Sequence, residues 1–140
     1  MKKILVVSDS HGNSKGINEL ASLIAENDFV IHLGDGASDM REIWGLYPEK
    51  VYACAGNCDF FSPLPTDGEL EIEQVKIYFC HGHKYGVKTD LSTLAQEGKK
   101  RGADIVLYGH THEADCHRES DGLWVLNPGS CGYYGGKAGI

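Results

Sequence analysis

His110 and His112 stand one residue apart, directly after the apolar run Ile105-Val106-Leu107-Tyr108 and a glycine. An apolar run bounded by glycine reads as a buried strand. Residues at i and i+2 project to one side of an extended chain, so the two imidazoles can address one locus. Borderline divalent metals favour imidazole, but two histidines hold a metal poorly without carboxylates, and alone the pair would read as solvated loop residues. The carboxylates follow other apolar runs. Asp9 and His11 follow the first, Asp35 the second and Asn57 the third, while His81 and His83 follow a fourth. Two carboxylates, an amide oxygen and four or more imidazoles exceed what one tetrahedral zinc takes. They suit two ions, and a pair roughly 3.5–4 Å apart is an arrangement for displacement at phosphorus.

These side chains need elements to deliver them. Residues 2–8 form a near-continuous apolar run, expected as a strand buried on both faces. Asn13 or Ser14 can cap a helix with Ile17, Leu20, Ala21, Leu23 and Ile24 inward, ending near Asn27. Residues 29–33 give the second strand. Strand, ligand, helix, strand, ligand is a βαβ unit, and its functional loops lie at the carboxyl ends of the strands. A short helix over residues 38–46, stopped by Pro48, precedes a third strand at 51–55. From Glu69 the pattern alternates strictly, which predicts an antiparallel hairpin over residues 69–79 with one face solvated. Thr89 or Asp90 can cap another helix, with Leu91, Leu94 and Ala95 inward and Lys99-Lys100-Arg101 at the end its dipole favours. A last hairpin, residues 114–118 and 123–126, turns at Ser120-Asp121-Gly122. It leads to Asn127-Pro128-Gly129-Ser130 and a glycine-rich tail at 132–139.

Composition narrows the options. A chain of 140 residues with 41% hydrophobic and 24% charged residues is expected to be a single domain over 1–140. Cys54, Cys58, Cys80, Cys116 and Cys131 are an odd number with no C-x-x-C pair, so reduced thiols are expected rather than a disulfide framework. A formal charge of -7 with no basic run excludes electrostatic binding of long nucleic acids. Two bound divalent cations would reduce that to about -3 and place positive charge in one pocket, which suits a small anionic ligand. The first apolar run meets Ser8-Asp9 too early for a signal peptide or a membrane span, so a cytoplasmic location without a membrane partner is expected.

In chain order, Asp-x-His, Gly-Asp, Gly-Asn-x-Asp, His-Gly-His and Gly-His-x-His cover residues 4–130 and resemble the calcineurin-like metallophosphoesterases. Ser8-Asp9-Ser10-His11-Gly12-Asn13, Gly56-Asn57-Cys58-Asp59 and Asn127-Pro128-Gly129-Ser130 are most similar to the small bacterial and archaeal phosphodiesterases of that family. The resemblance implies an α/β fold, a four-layer α/β/β/α sandwich with two mixed β-sheets. It implies a first ion held by Asp9, His11, Asp35 and His112 and a second held by Asp35, Asn57, His81 and His110, with Asp35 as the bridge. Manganese is the first expectation, and iron, nickel and zinc accept the same donors. The implied reaction is hydrolysis of a small phosphodiester by in-line attack of a hydroxide shared between the ions, with Asp35, Asn57 and His83 in catalytic positions. A homo-oligomer is compatible with all of this.

Several residues keep two readings. His83, on the same side as His81 by alternation, is either the ligand in its place or a group beside the ligands. Asp35 has an alternative as the N-cap of the helix near Ser38. His32 is expected to pack and His117 to be solvated, while Phe60-Phe61 is a substrate or partner surface or simply packed. Two departures from the family stand out. Cys58 occupies the place of a histidine thought to help protonate the leaving oxygen, which implies good leaving groups or a substitute acid such as His83. The family's chains also continue past Asn-Pro-Gly-Ser into closing strands, so an edge strand of the second sheet is expected to be missing. The rival functions are a protein-interaction scaffold, as in a trafficking-complex subunit of the family, and a phosphomonoesterase or nucleotidase.

Overall fold

The computed structural model describes residues 1–132 of the chain. Three strands, β1 (Ile4–Val7), β2 (Phe29–His32) and β3 (Val51–Ala53), pair in parallel in that order, with Val7 beside His32 and His32 beside Ala53. The expected first helix is divided into α1 (Ser14–Asn18) and α2 (Ala21–Glu26). Gly16 and Asn18 are weak helix formers, and the break leaves Ala21 and Leu23 exposed where an unbroken helix was expected to bury them. Asn13 is the cap, its Oδ1 accepting from the Gly16 N–H at 2.9 Å. A 3₁₀ turn at Ala37–Met40 runs into α3 (Arg41–Leu46).

The second sheet contains β4 (Asp67–Ile72), β5 (Val75–Cys80), β6 (Ile105–Leu107), β7 (Asp115–Arg118) and β8 (Trp124–Asn127) in the order β4-β5-β6-β8-β7. Its two outer pairs are antiparallel, while β5, β6 and β8 run parallel, so this sheet is mixed. The first sheet is parallel throughout among the described residues. Glu73 and Gln74 join β4 to β5 with φ of 51° and 71°, the left-handed pair that a tight hairpin turn requires. One face of β5 was expected to meet solvent. Instead Ile77, Tyr78, Phe79 and Cys80 are all buried, because α4 (Ser92–Lys100) covers the outer face.

Strand alternation sorts the apolar residues into three cores, and three cores between four layers is the sandwich. Leu5, Val7 and Val30 face Ile17, Ile24, Met40 and Ile43 on the helices. Ile31, Leu33, Ile77, Phe79 and Leu107 fill the space between the sheets, with Ile4 and Val6 against them. Tyr78, Val106 and Val125 meet Leu94 and Ala95 of α4. Among the described residues the second sheet is bounded by β4 and β7, and the outer edge of β1 in the first sheet is touched by the Cys131 N–H donating to Ser8. The glycine-rich tail lies, after Gly132, outside the described residues. None of the described helices is long and apolar enough to cross a membrane.

Ile31 is fully buried between the sheets, so Ile31→Ala should cost about 2–5 kcal/mol by urea unfolding. Leu46→Ala on the exposed end of α3 should stay within about 0.5 kcal/mol in the same measurement.

Candidate metal centre

Parallel pairing brings the ligand-bearing loops to one edge of the sandwich. Past the last residues of β1 and β2 the pairing continues through loops, with Leu33 N donating to Val7, Asp9 N to Gly34 and His11 N to Asp35 at 2.9–3.0 Å. In the second sheet Phe79 lies beside Leu107, and the Gly109 N–H donates to the His81 carbonyl at 2.9 Å. The strands have ended by then, so an extended chain does not present the histidines. Asp9, His11, Asp35, His110 and His112 all adopt left-handed backbone, with φ from 45° to 72°. That conformation is uncommon outside glycine and costs on the order of 1–3 kcal/mol per residue. Its effect is to send His110 and His112 to different partners rather than one locus. Gly34, at φ 101°, is required by closeness: a Cβ there would lie 2.6 Å from the Gly56 nitrogen and 3.0 Å from His81 Nδ1.

The two acids lie between the imidazoles. Asp9 has no exposure; its Oδ2 accepts from Ser8 Oγ at 2.6 Å and from the His110 N–H at 3.0 Å. Its Oδ1 is buried without a hydrogen-bond partner, yet lies 3.3 Å from His112 Nε2, 3.7 Å from His11 Nε2 and 3.8 Å from His81 Nε2. Asp35 Oδ1 accepts from the Cys58 N–H at 2.8 Å, and Oδ2 lies 3.3 Å from His81 Nε2 and 3.7 Å from His11 Nε2. Burial would raise the Asp35 carboxyl, but the hydrogen bonds from His81 and Cys58 outweigh it and hold the group well below the usual carboxylate range. His81 Nδ1 lies 2.8 Å from the Leu33 carbonyl, which fixes its proton there and turns the other nitrogen toward both acids. Burial lowers His81, and Asp35 with Asp9 more than reverse that.

Ring nitrogens also face one another, His11 Nε2 and His112 Nε2 at 3.1 Å and His81 Nε2 and His110 Nδ1 at 3.2 Å. Two neutral imidazoles meeting this way need a proton or a cation between them. Potential ligand atoms fall within 4.8 Å of one another in three groups: Asp9, His11 and His112; His11, Asp35 and Cys58; Asp35, His81 and His110. An unsatisfied buried carboxylate oxygen amid imidazole nitrogens is the donor set a divalent transition metal takes, so these residues fit the metals that the sequence implied.

Other sequence candidates are placed less centrally. Asn57 is exposed, with its Nδ2 3.6 Å from Cys58 Sγ. Cys58 is exposed, and its sulfur joins the group with His11 and Asp35, as its place in the Gly-Asn-Cys-Asp motif implied. The chain turns at Gly82, φ 102°, and puts His83 in a 3₁₀ turn, so alternation does not align it with His81. Its ring centroid is 5.4 Å from that of His81 and 6.2 Å from that of His110, and its buried Nδ1 has no partner. His117 pairs with Asp115 at 2.9 Å on the last hairpin. All five cysteines are free.

The supporting residues were largely missed. Asp59, the last residue of Gly-Asn-Cys-Asp, accepts from the N–H groups of Asp35, Gly36 and Gly56 at 2.8 Å and of Ala37 at 3.3 Å. It takes the capping role considered for Asp35. Behind the centre, Gly34 N donates to His32 Nδ1, so the His32 proton is on Nε2, 2.9 Å from Ser10 Oγ, which donates to Asp39 at 2.7 Å. Burial lowers His32 to about 4, which keeps it neutral in that chain. Asn127 donates to Gly109 and Thr111, and Ser130 Oγ donates to the Asp9 carbonyl at 2.8 Å. The signal available was the second acid of Gly-Asn-Cys-Asp and the polar Asn-Pro-Gly-Ser itself.

Stacked sheets with acids and imidazoles gathered at their carboxyl ends define the architecture of a phosphoesterase of the calcineurin-like type. Residues 1–140 match the family model described as the calcineurin-like phosphoesterase superfamily domain, and the chain belongs to that family. It is 34% identical to the probable metallophosphoesterase YsnB of Bacillus subtilis over 128 residues, 91% of this chain and 73% of that protein. It is 30% identical to phosphodiesterase MJ0936 of Methanocaldococcus jannaschii over 152 aligned positions, 96% of this chain and 87% of that one. A conserved Streptococcus pneumoniae TIGR4 protein described as a predicted phosphoesterase superposes with a TM-score of 0.82 at 32% identity, over 97% of this chain and 76% of that one. Vps29 of Entamoeba histolytica complexed with zinc shares the fold, with a TM-score of 0.77 at 23% identity over 97% and 79% of the two chains.

Asp59→Ala would strand four backbone donors and should cost about 2–4 kcal/mol by urea unfolding. Asp59→Asn, which keeps one oxygen, should cost less.

Proposed function

We propose that the protein is a dinuclear-metal phosphodiesterase acting on a small phosphodiester. The observation that carries this reading is Asp9 Oδ1, a buried carboxylate oxygen with no hydrogen bond and three imidazole nitrogens within 3.8 Å. In this reading Asp9, His11, Asp35 and His112 hold one ion, and Asp35, Asn57, His81 and His110 the other. Manganese is preferred, with iron, nickel or zinc as alternatives. Such a pair, when bound, neutralises phosphate oxygens and lowers the pKa of an attacking water.

The chain's own residues do the positioning. Asp35 is fixed by the Cys58 N–H and Asp9 by Ser8 and the His110 N–H, so neither acid must reorganise when substrate arrives. His83, beside His81 and His110, is kept below the ordinary imidazole range by burial and by His81, and offers a neutral ring to a leaving or non-bridging oxygen. Burial and Asp35 raise the Cys58 thiol, which makes it a poor acid. The scaffold reading is favoured by Phe60 and Phe61, which are exposed as a partner surface would be, and turnover of a chromogenic diester decides between the two.

Elemental analysis after reconstitution should give two divalent ions per chain, and saturation at one or none would defeat the dinuclear reading. With metal restored, Asp35→Asn should lower turnover of a 4-nitrophenyl diester by more than about 100-fold, beyond the usual cost of losing a ligand's outer partner. Cys58→Ala should lower it less, and the reverse order would overturn the assignment of Asp35.

A further inference from the structure

Beside the metal centre lies an open cleft of about 520 Å³, lined by Arg41, Trp44, Cys58, Phe60, Phe61 and Leu64 among others. It is continuous with the centre, since Cys58 lines it and also places its sulfur within 4.8 Å of ligand atoms on His11 and Asp35. Phe60 is 78% exposed and Phe61 104% exposed, adjacent in sequence. Phe61 also has φ 63°, a genuine outlier for a bulky side chain. Neither burial nor a relaxed backbone accounts for that ring; a strained aromatic held out beside a reaction centre is a feature that function explains.

Charge defines the ligand further. Arg41 is exposed and makes no ion pair or side-chain hydrogen bond among the described residues, in a chain of formal charge -7. The other charged group in the lining, Asp59, is already saturated by four backbone N–H groups. Three aromatic rings with one free guanidinium suit a ligand that is flat and apolar at one end and anionic at the other. The volume lies in the range of small-molecule sites.

We propose that this cleft receives the nucleoside arm of the phosphodiester, the base against Trp44, Phe60 and Phe61 and a phosphate oxygen of the same arm against Arg41. The proposal rests on the phosphodiesterase reading and names its substrate class. A glycerol arm presents no ring, and a choline arm, whose quaternary ammonium the rings would attract, meets the unpaired Arg41 cation in the same cleft, whereas base stacking on an aromatic is worth about 10-fold or more in affinity.

The test uses two diesters that share 4-nitrophenol as leaving group, one built on adenosine 5′-phosphate and one on methyl phosphate. In the metal-reconstituted protein Phe60→Ala with Phe61→Ala should lower kcat/KM for the adenosine diester by about 10-fold or more and leave the methyl diester within about 2-fold. Arg41→Gln should lower both diesters together, because both carry the phosphate oxygen that Arg41 would hold. For the phenylalanine variant, an equal fall for both diesters would mean that the nitrophenyl ring occupies the cleft, and no change in either would leave the cleft without a role; both results overturn the proposal. Calorimetry with adenosine 5′-phosphate and ribose 5-phosphate gives a readout free of turnover. The wild type should favour the adenosine ligand, and the double variant should lose that preference. If neither diester is hydrolysed but the preference is found, the phosphodiesterase reading fails and the nucleotide cleft stands. Equal binding of the two ligands by the wild type refutes the cleft whatever the activity.

Discussion

A carboxylate with no access to solvent, one of its oxygens bonded and the other bonded to nothing, governs the arrangement around it. Removing the Asp9 charge from water is expensive unless it is compensated, and a carboxylate left half satisfied is the worst case for a folded chain. The surrounding backbone is bent to that need. His110 supplies its N–H to one oxygen while sending its ring elsewhere, and Gly109 leaves room, since a Cβ there would lie 2.8 Å from Asp9 Oδ2. Left-handed backbone at five acid and imidazole positions raises the local energy, and the packed sheets on either side hold it in place.

Much of the architecture was legible because parallel strands leave a strong trace: apolar runs that stop at glycine and hand over to a polar side chain. The strand positions, the βαβ order and the two late hairpins follow from that trace. The division of the first helix did not, since periodicity continues through Gly16 and Asn18 although helix propensity falls there. Burial of β5 on both faces was hidden by strict alternation in the strand before it, and only tertiary contact with α4 reveals it.

The site was legible in its residue types and less so in its geometry. Asp9, His11, Asp35, His81, His110 and His112 are gathered as their spacing suggested, but by a different cause. Alternation along an extended chain would have aimed His110 and His112 together, whereas left-handed backbone separates them. The supports were invisible for a physical reason: Asp59, Asn127 and Ser130 act on backbone amides and carbonyls, and Ser10 on the His32 and Asp39 side chains, all far away in sequence, and no local pattern encodes such partners. The segment after β3 shows how closely these functions are joined. Asp59 clamps the Asp35 loop, and the next two residues are the exposed phenylalanines.

The hydrogen bond from Ser130 to the Asp9 carbonyl joins residues 121 positions apart, and Asn13 donates to Cys131 across nearly the same interval. A nascent chain leaving the ribosome can pair β1 with β2 early, because that contact is local. It cannot enclose Asp9 until residue 130 has been made. Loop-closure entropy and the long sequence separation place that event late in folding. Throughout synthesis the carboxylate therefore stays hydrated, and the electrostatic penalty of burying it falls only when its imidazole neighbours have been translated and can share it.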